Sequence, residues 1–320
     1  MSNIAVIGAG AWGTALAIQA ARAGNDVVLW ARDPGNAAAI EQTRENSRLP
    51  GHRLPGRIRV TNVLPVATRA VLLAVPMQHL RSVAACLPSG PSPIVVCAKG
   101  VETGSLRLPL EVVEALHPAT GTACLTGPNF ANEVAAGLPS AAVLASTDPA
   151  LRQALATLLG TPAFRLYGND DPVGAQLGGA AKNVIAIAAG AVIGAGLGEN
   201  ARAALITRGL AELGRLAVAL GGRAETRMGL SGLGDLLLTC TGSASRNFSL
   251  GLALGQGKTL ADVQASRSSV TEGVATAPAL LARAAGVELP ICAGVAALLA
   301  GRTTLAEAIV AMLARPRRDE

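Results

Sequence analysis

Only three lysines, Lys99, Lys182 and Lys258, stand among the 27 basic residues of a chain that otherwise uses arginine. A lysine kept in such a setting raises the question of whether its titratable amine is needed, because a guanidinium never gives up its proton and an ammonium can. Lys182-Asn183 interrupts an apolar stretch, with Leu177-Gly178-Gly179-Ala180-Ala181 before it and Val184-Ile185-Ala186-Ile187 after it. Burying an unpartnered ammonium is costly, so Lys182 either reaches water or faces a polar cavity. In a cavity it can serve as a general acid or base. Lys99 follows the apolar run Val95-Val96-Cys97-Ala98 and is too polar for a strand interior, so it is expected at the strand's carboxyl end, beside a ligand. Lys258, in the Gly255-Gln256-Gly257 turn, reads as a surface residue. Further on, Gly232-Leu233-Gly234-Asp235 reads as a Gly-rich turn with a single carboxylate. Ser245-Arg246-Asn247 adds a guanidinium fork and amide donors suited to a phosphate, unless Arg246 pairs with a surface carboxylate instead.

A second cluster has its own spacing. Gly8-Ala9-Gly10-Ala11-Trp12-Gly13 follows the apolar run Ile4–Ile7 and opens an Ala-rich stretch over Thr14–Ala23; Gly24-Asn25 then turns into a second apolar run. In such a βαβ unit the first glycine permits the tight turn, the second lets backbone approach a pyrophosphate, and the third allows close helix–strand contact. The pyrophosphate sits on the helix N-terminus, where N–H groups and the dipole favour an anion. These residues predict a nicotinamide dinucleotide site. About twenty residues past the fingerprint, Arg32 and Asp33 offer opposite preferences, the arginine for the 2′-phosphate of NADP and the carboxylate for the ribose of NAD. Asp33 also suits a helix N-cap ahead of Pro34.

These groups must be positioned by regular elements. Short apolar runs at Ile4–Ile7, Asp26–Trp30, Ala70–Val75, Ile94–Ala98, Thr122–Thr126, Ala141–Ala145 and Phe164–Tyr167 alternate with helical stretches. That alternation predicts a mostly parallel sheet covered on both faces, with room for antiparallel edge pairs among the later strands. After Tyr167 the strand pattern stops, and helices are expected over Gly178–Ala195, Ala201–Leu220 and Thr271–Ala285. The fold class expected is α/β: an N-terminal Rossmann-type, mostly parallel sheet domain over residues 1–172, then an all-α domain over residues 173–320. The turn Gly168-Asn169-Asp170-Asp171-Pro172 marks the boundary.

Composition narrows the class. A chain of 320 residues exceeds what one core normally serves, which agrees with two domains. The most apolar run, between Lys182 and Glu199, is too short between charges for a spanning helix, so no membrane span is expected. A strand that begins at Asn3, with no basic or cleavable leader, points to the cytoplasm. The net charge of +6 is compatible with nucleic acid, but aromatics at 2% leave almost no stacking platform, and mild basicity suits a small anionic substrate just as well, so charge alone does not decide the partner. Five scattered cysteines and three separated histidines, with no CxxC, support neither a disulfide framework nor a metal site. An Ala/Leu-rich helical domain could support a homodimer.

Seven segments occur in an order that resembles the bacterial NAD(P)-dependent glycerol-3-phosphate dehydrogenases: Gly8–Ala17, Lys99-Gly100, Gly127-Pro128-Asn129-Phe130-Ala131, Lys182-Asn183, Ala203–Leu210, Gly232–Asp235 and Ser245–Asn247. The resemblance implies reversible reduction of dihydroxyacetone phosphate to sn-glycerol 3-phosphate with NADP or NAD, feeding phospholipid synthesis. It implies Lys182 as proton donor and acceptor, and Lys99 in contact with substrate and cofactor. It carries over substrate contacts to Gly127, Asn129, Asp235, Ser245, Arg246 and Asn247. Cofactor contacts fall on Ala11, Trp12, Arg32, Ala131, Arg246, Val270 and Glu272, beside Gly8, Gly10 and Gly13. Asn129 departs from the family's usual Ser or Thr. The readings weighed against it are a 3-hydroxyacid or ketopantoate-type reductase, which would act on carboxylates, and a non-catalytic NAD(P)-sensing module.

Overall fold

The computed structural model describes residues 3–265 and 271–314; Val270 and the arginine-rich tail, Arg315, Arg317 and Arg318, lie outside them. The chain divides into two compact units, Met1–Lys99 with Arg107–Gln176, and Gly100–Leu106 with Leu177–Glu320.

The first unit runs β1 (Ile4–Ile7), α1 (Ala11–Arg22), β2 (Val27–Trp30), α2 (Pro34–Thr43), β3 (Ile58–Thr61), β4 (Ala70–Leu73), α3 (Met77–Ala84), β5 (Ile94–Val96), α4 (Pro109–Leu116), β6 (Thr122–Thr126), α5 (Ala131–Ala136), β7 (Ser140–Ala145), α6 (Pro149–Leu159) and β8 (Phe164–Asn169). The strands form one sheet in the order β3-β2-β1-β4-β5-β6-β7-β8. Every pair is parallel except β6 with β7. Strands β1, β2 and β4 are buried along their whole length, which is why their sequences are continuous apolar runs rather than alternating ones. Register pairs Ile7 with Trp30 on one side and with Leu73 on the other. The chain therefore leaves β1 to opposite sides, and the carboxyl ends of β1 and β4 flank the point where such sheets take ligands.

Several boundaries differ from the sequence expectation. Strand β3 has no counterpart in it: Ile58–Thr61 is a four-residue edge strand with exposed Arg59, and only Ile58 and Val60 carry an apolar signal. The runs ending at Val75 and Ala98 leave the ladder at Leu73 and Val96, because their last residues turn over the sheet's rim. The antiparallel pair is interior, since β7 also pairs parallel with β8.

The second unit holds most of α7 (Pro172–Gly194), then α8 (Gly198–Ala219), a 3₁₀ turn (Glu225–Met228), a π-helical turn (Leu230–Gly234), α9 (Asp235–Cys240), α10 (Arg246–Gly255), α11 (Leu260–Ala265), α12 (Glu272–Arg283), α13 (Pro290–Leu299) and α14 (Leu305–Leu313). Helix α7 starts at Pro172, six residues before its expected start, with the Asp171 carboxylate accepting from Gly174 N at 2.8 Å. It is long and apolar enough to cross a membrane, but its most apolar window is 89% buried inside the fold. Its glycines bring other elements against its backbone. A β-carbon on Gly190 would lie 2.0 Å from the Phe248 carbonyl oxygen, and one on Gly251 would lie 1.9 Å from that of Ile187. Helices α7 and α10 therefore touch main chain to main chain. At another joint Glu212, 2% exposed, accepts from Ile291 N at 2.6 Å and Cys292 N at 3.3 Å. Burial raises its carboxyl above the ordinary range, and the start of α13 satisfies it.

Candidate active site

In the first unit the glycine fingerprint is shaped by contact. Gly8 has φ +114°, and a β-carbon there would stand 2.7 Å from the Ala74 carbonyl oxygen at the end of β4. At Gly13 it would meet the Gly8 oxygen at 1.8 Å. Only glycine fits either position. Gly10 differs: it is the N-cap of α1, and nothing lies within 4 Å of where its β-carbon would be. The space beside it is open. Ala11 and Trp12 form the first turn of α1, which holds no acidic residue, so the donor set fits a dinucleotide pyrophosphate. Arg32 is exposed just past β2, while Asp33 is the N-cap of α2 and accepts from Asn36 N at 2.6 Å. That carboxylate has the helix-capping role.

Past β5, Lys99 Nζ donates to the Gly127 carbonyl at 3.2 Å, so two sequence-predicted residues meet at the rim. Gly127 follows β6 with φ +120°. Asn129 Nδ2 donates to the Ala141 carbonyl at 3.0 Å, which leaves its buried Oδ1 without a partner; Thr126 Oγ1 nearby in sequence is in the same state. Buried polar atoms without a partner are rare, and both of these have the capacity to accept a hydrogen bond. Ala131 opens α5 and packs on the core.

In the second unit Lys182 is 8% exposed and Asp235 0%. Lys182 Nζ forms an ion pair with Asp235 Oδ1 and donates to Thr239 Oγ1 at 3.0 Å; Thr239 in turn donates to the Asp235 carbonyl at 2.6 Å. The Gly232–Asp235 segment is helical rather than a loose turn: its π-helical turn runs directly into α9, so Asp235 and Thr239 share a face four residues apart. Thr239 joins the cluster through its i+4 spacing from Asp235, the cue available in the sequence. Burial pushes the adjacent Cys240 thiol up to about 12, so it stays protonated and offers no base.

Ser245-Arg246-Asn247 opens α10. Ser245 is the N-cap and accepts from Phe248 N at 3.2 Å, and Arg246 is exposed at the first helical position. Asn247 Nδ2 donates to Asn183 Oδ1 at 2.9 Å, and its Oδ1 accepts from Gly273 N at 3.0 Å. This amide therefore links α7, α10 and α12, beside Lys182 on one helix and Glu272 on another. An exposed guanidinium at a helix N-terminus suits a phosphate.

Two family models match the chain, the NAD-dependent glycerol-3-phosphate dehydrogenase N-terminus over residues 3–152 and its C-terminus over residues 171–310. A glycerol-3-phosphate dehydrogenase (NAD(P)+) of Acidiphilium cryptum is 60% identical over 99% of this chain and 98% of its own length. That of Gluconobacter oxydans is 54% identical over the same shares. The crystal structure of the Coxiella burnetii glycerol-3-phosphate dehydrogenase superposes with a TM-score of 0.93 at 38% identity, covering 98% of this chain and 99% of that one. With both family models in place and full-length relatives this similar, the chain belongs to the NAD-dependent glycerol-3-phosphate dehydrogenase family.

Proposed function

We propose that this protein reduces dihydroxyacetone phosphate reversibly to sn-glycerol 3-phosphate, with residues 1–172 binding the dinucleotide and residues 173–320 the substrate. The observation that carries the reading is the buried Lys182–Asp235–Thr239 cluster in a chain of this family. When bound, NAD(P)H supplies hydride to the ketone carbon. The carbonyl oxygen then carries the charge of an alkoxide and needs a proton. The Lys182 ammonium stabilises that charge and donates a proton to that oxygen, and takes it back in the reverse direction. Asp235 and Thr239 keep Nζ in place. Lys99 contacts substrate and cofactor, where it polarises the carbonyl or steadies the cofactor. Arg246, with Ser245 and Asn247, holds the phosphate, so that binding energy remote from the reacting carbon orients it. Gly127 and Asn129 complete the substrate contacts, the orphaned Asn129 Oδ1 accepting from a hydroxyl. Ala131, Val270 and Glu272 belong to the cofactor contacts.

Purified protein is expected to consume NADPH when dihydroxyacetone phosphate is added and not when a keto acid such as ketopantoate is added; the opposite pattern overturns the reading in favour of a carboxylate reductase. For the dinucleotide, exposed Arg32 and the capping role of Asp33 favour NADP. Arg32→Ala is expected to raise the KM for NADPH about tenfold or more and that for NADH less than about twofold, since only the 2′-phosphate offers a charge-assisted partner. Equal changes in both would remove that preference. The reading places the reaction in the cytoplasm, as a supply of glycerol 3-phosphate for phospholipid synthesis. It also includes a homodimer, supported by α14, which exposes Val310 at 65% and Leu313 at 80%.

A further inference from the structure

Between α2 and β3 the chain makes a closed loop. Arg44 ends α2 in the left-handed region, at φ 59°, and its carbonyl accepts from Leu54 N at 2.8 Å. Its guanidinium reaches forward to the Pro55 and Ile58 carbonyls at 2.7 and 2.6 Å, so the loop's two ends are tied together. Leu49 and Leu54, 4% and 3% exposed, fill the loop and join the core of the sheet. A compact surface loop closed in this way and packed by its own side chains is an Ω-loop.

Its one fully buried polar side chain among the described residues is Asn46, 1% exposed. Asn46 Oδ1 accepts from Arg48 N at 3.0 Å, which orients the amide within the loop. Nδ2 then donates twice, to the Ala9 carbonyl at 3.0 Å and to Thr14 Oγ1 at 2.7 Å. Both acceptors belong to the glycine fingerprint or to the helix it opens. A peptide group is planar and trans, so its C=O and N–H point in opposite directions. Holding the Ala9 carbonyl on Asn46 therefore turns the Gly10 N–H to the opposite side, outward from the loop. This peptide turns about ψ of Ala9 and φ of Gly10, and on the glycine side that rotation is resisted least. Without Asn46 nothing in the local covalent chemistry keeps that N–H aimed at a ligand.

We infer that Asn46 is a positioning residue for the cofactor: it locks the Ala9–Gly10 peptide so that the Gly10 N–H faces the dinucleotide's pyrophosphate. The inference rests on the reading that this fingerprint takes the pyrophosphate. The Ω-loop supplies the leverage, since its closure by Arg44 and its buried leucines fix where Asn46 can sit. At its other side His52 Nε2 lies 2.7 Å from Asn132 Oδ1 in α5, which holds the loop across the start of a second cofactor-side helix.

The test is Asn46→Asp in the full chain. Aspartate keeps the shape and the bond from Arg48 N, but has no N–H for the Ala9 carbonyl. Fluorescence titration is expected to show NADPH binding weakened about 10- to 100-fold, the effect of losing a buried donor and facing two acceptors together. Turnover at saturating NADPH and the KM for dihydroxyacetone phosphate stay within about twofold, because the group acts on the cofactor alone. A lowered melting temperature with native NADPH affinity overturns the inference and leaves Asn46 a structural residue. If Asn46→Asp does not fold, Thr14→Val decides: it slackens the amide by one bond and is expected to weaken NADPH about fivefold, and native affinity there overturns the inference as well. Failure of the native protein to bind NADPH at all would instead remove the reading of the fingerprint.

Discussion

Replacing Lys182 by alanine is expected to lower kcat by about 10²- to 10⁴-fold, the contribution of a positioned general acid, while NADPH binds with native affinity. The separation follows from where the groups sit. The glycine fingerprint is held by contacts within the first unit, among Gly8, Gly13, Ala74 and Asn46, and none of these involves Lys182. The alanine variant carries a second consequence. Asp235 is 0% exposed and ion-paired with Lys182, so removing the ammonium strands a buried carboxylate. That is expected to destabilise the fold by about 3 kcal/mol. Combining Lys182→Ala with Asp235→Asn removes the stranded charge, so the double variant should regain melting temperature without regaining turnover. That pattern distinguishes loss of a catalytic group from loss of structure. Turnover within about tenfold of native in the folded double variant would remove Lys182 from the proton transfer.

The same pair shows what could be read from residue types alone. Lys182 was conspicuous because an ammonium in an apolar stretch has to be explained, and the Gly8–Gly13 spacing was conspicuous because strand, turn and helix follow in sequence. Both signals are local. The partners are not: Asp235 lies 53 residues from Lys182, and its carboxylate reaches Nζ only because α7 and the π-helical turn pack closely. The role of Asn247 shows the same limit. The sequence marks it as a phosphate donor, but not that one of its two Nδ2 hydrogens goes to Asn183 and its Oδ1 takes the Gly273 N–H, a bridge among three helices with no sequence signature. Asn46 sat in a segment that offered no regular pattern, and only the closed loop reveals what its amide holds. Strand β3 is illegible for a simpler reason: an edge strand of four residues with two apolar positions is indistinguishable from a loop by periodicity. The long helices and the fully buried strands were legible, since burial on several sides demands continuous apolar sequence.

The largest effect at a position that bears no reactive group is expected at Gly178. A β-carbon there would lie 2.2 Å from the Ser231 carbonyl oxygen and 3.0 Å from the Ser231 carbonyl carbon. No pair of atoms tolerates such a separation, so Gly178→Ala must push α7 and the π-helical turn apart by about 1 Å. Gly178 is one helical turn before Lys182 on the same face of α7, and Ser231 is four residues before Asp235 on the continuous run into α9. The displacement is therefore delivered to the Lys182–Asp235–Thr239 contacts. A misplacement of this size costs about 100-fold in turnover when it falls on a reacting group, and kcat is expected to drop by that factor while NADPH affinity stays native. A matched control separates this from a general dislike of alanine. Gly294 lies inside α13, and its β-carbon would meet only the Met312 side chain at 3.5 Å, an ordinary contact. Gly294→Ala is expected to keep native kcat and to gain up to about 1 kcal/mol from helix propensity. Native turnover in Gly178→Ala would mean that the lysine's position does not depend on this close approach, and that Asp235 follows Lys182 by some other route.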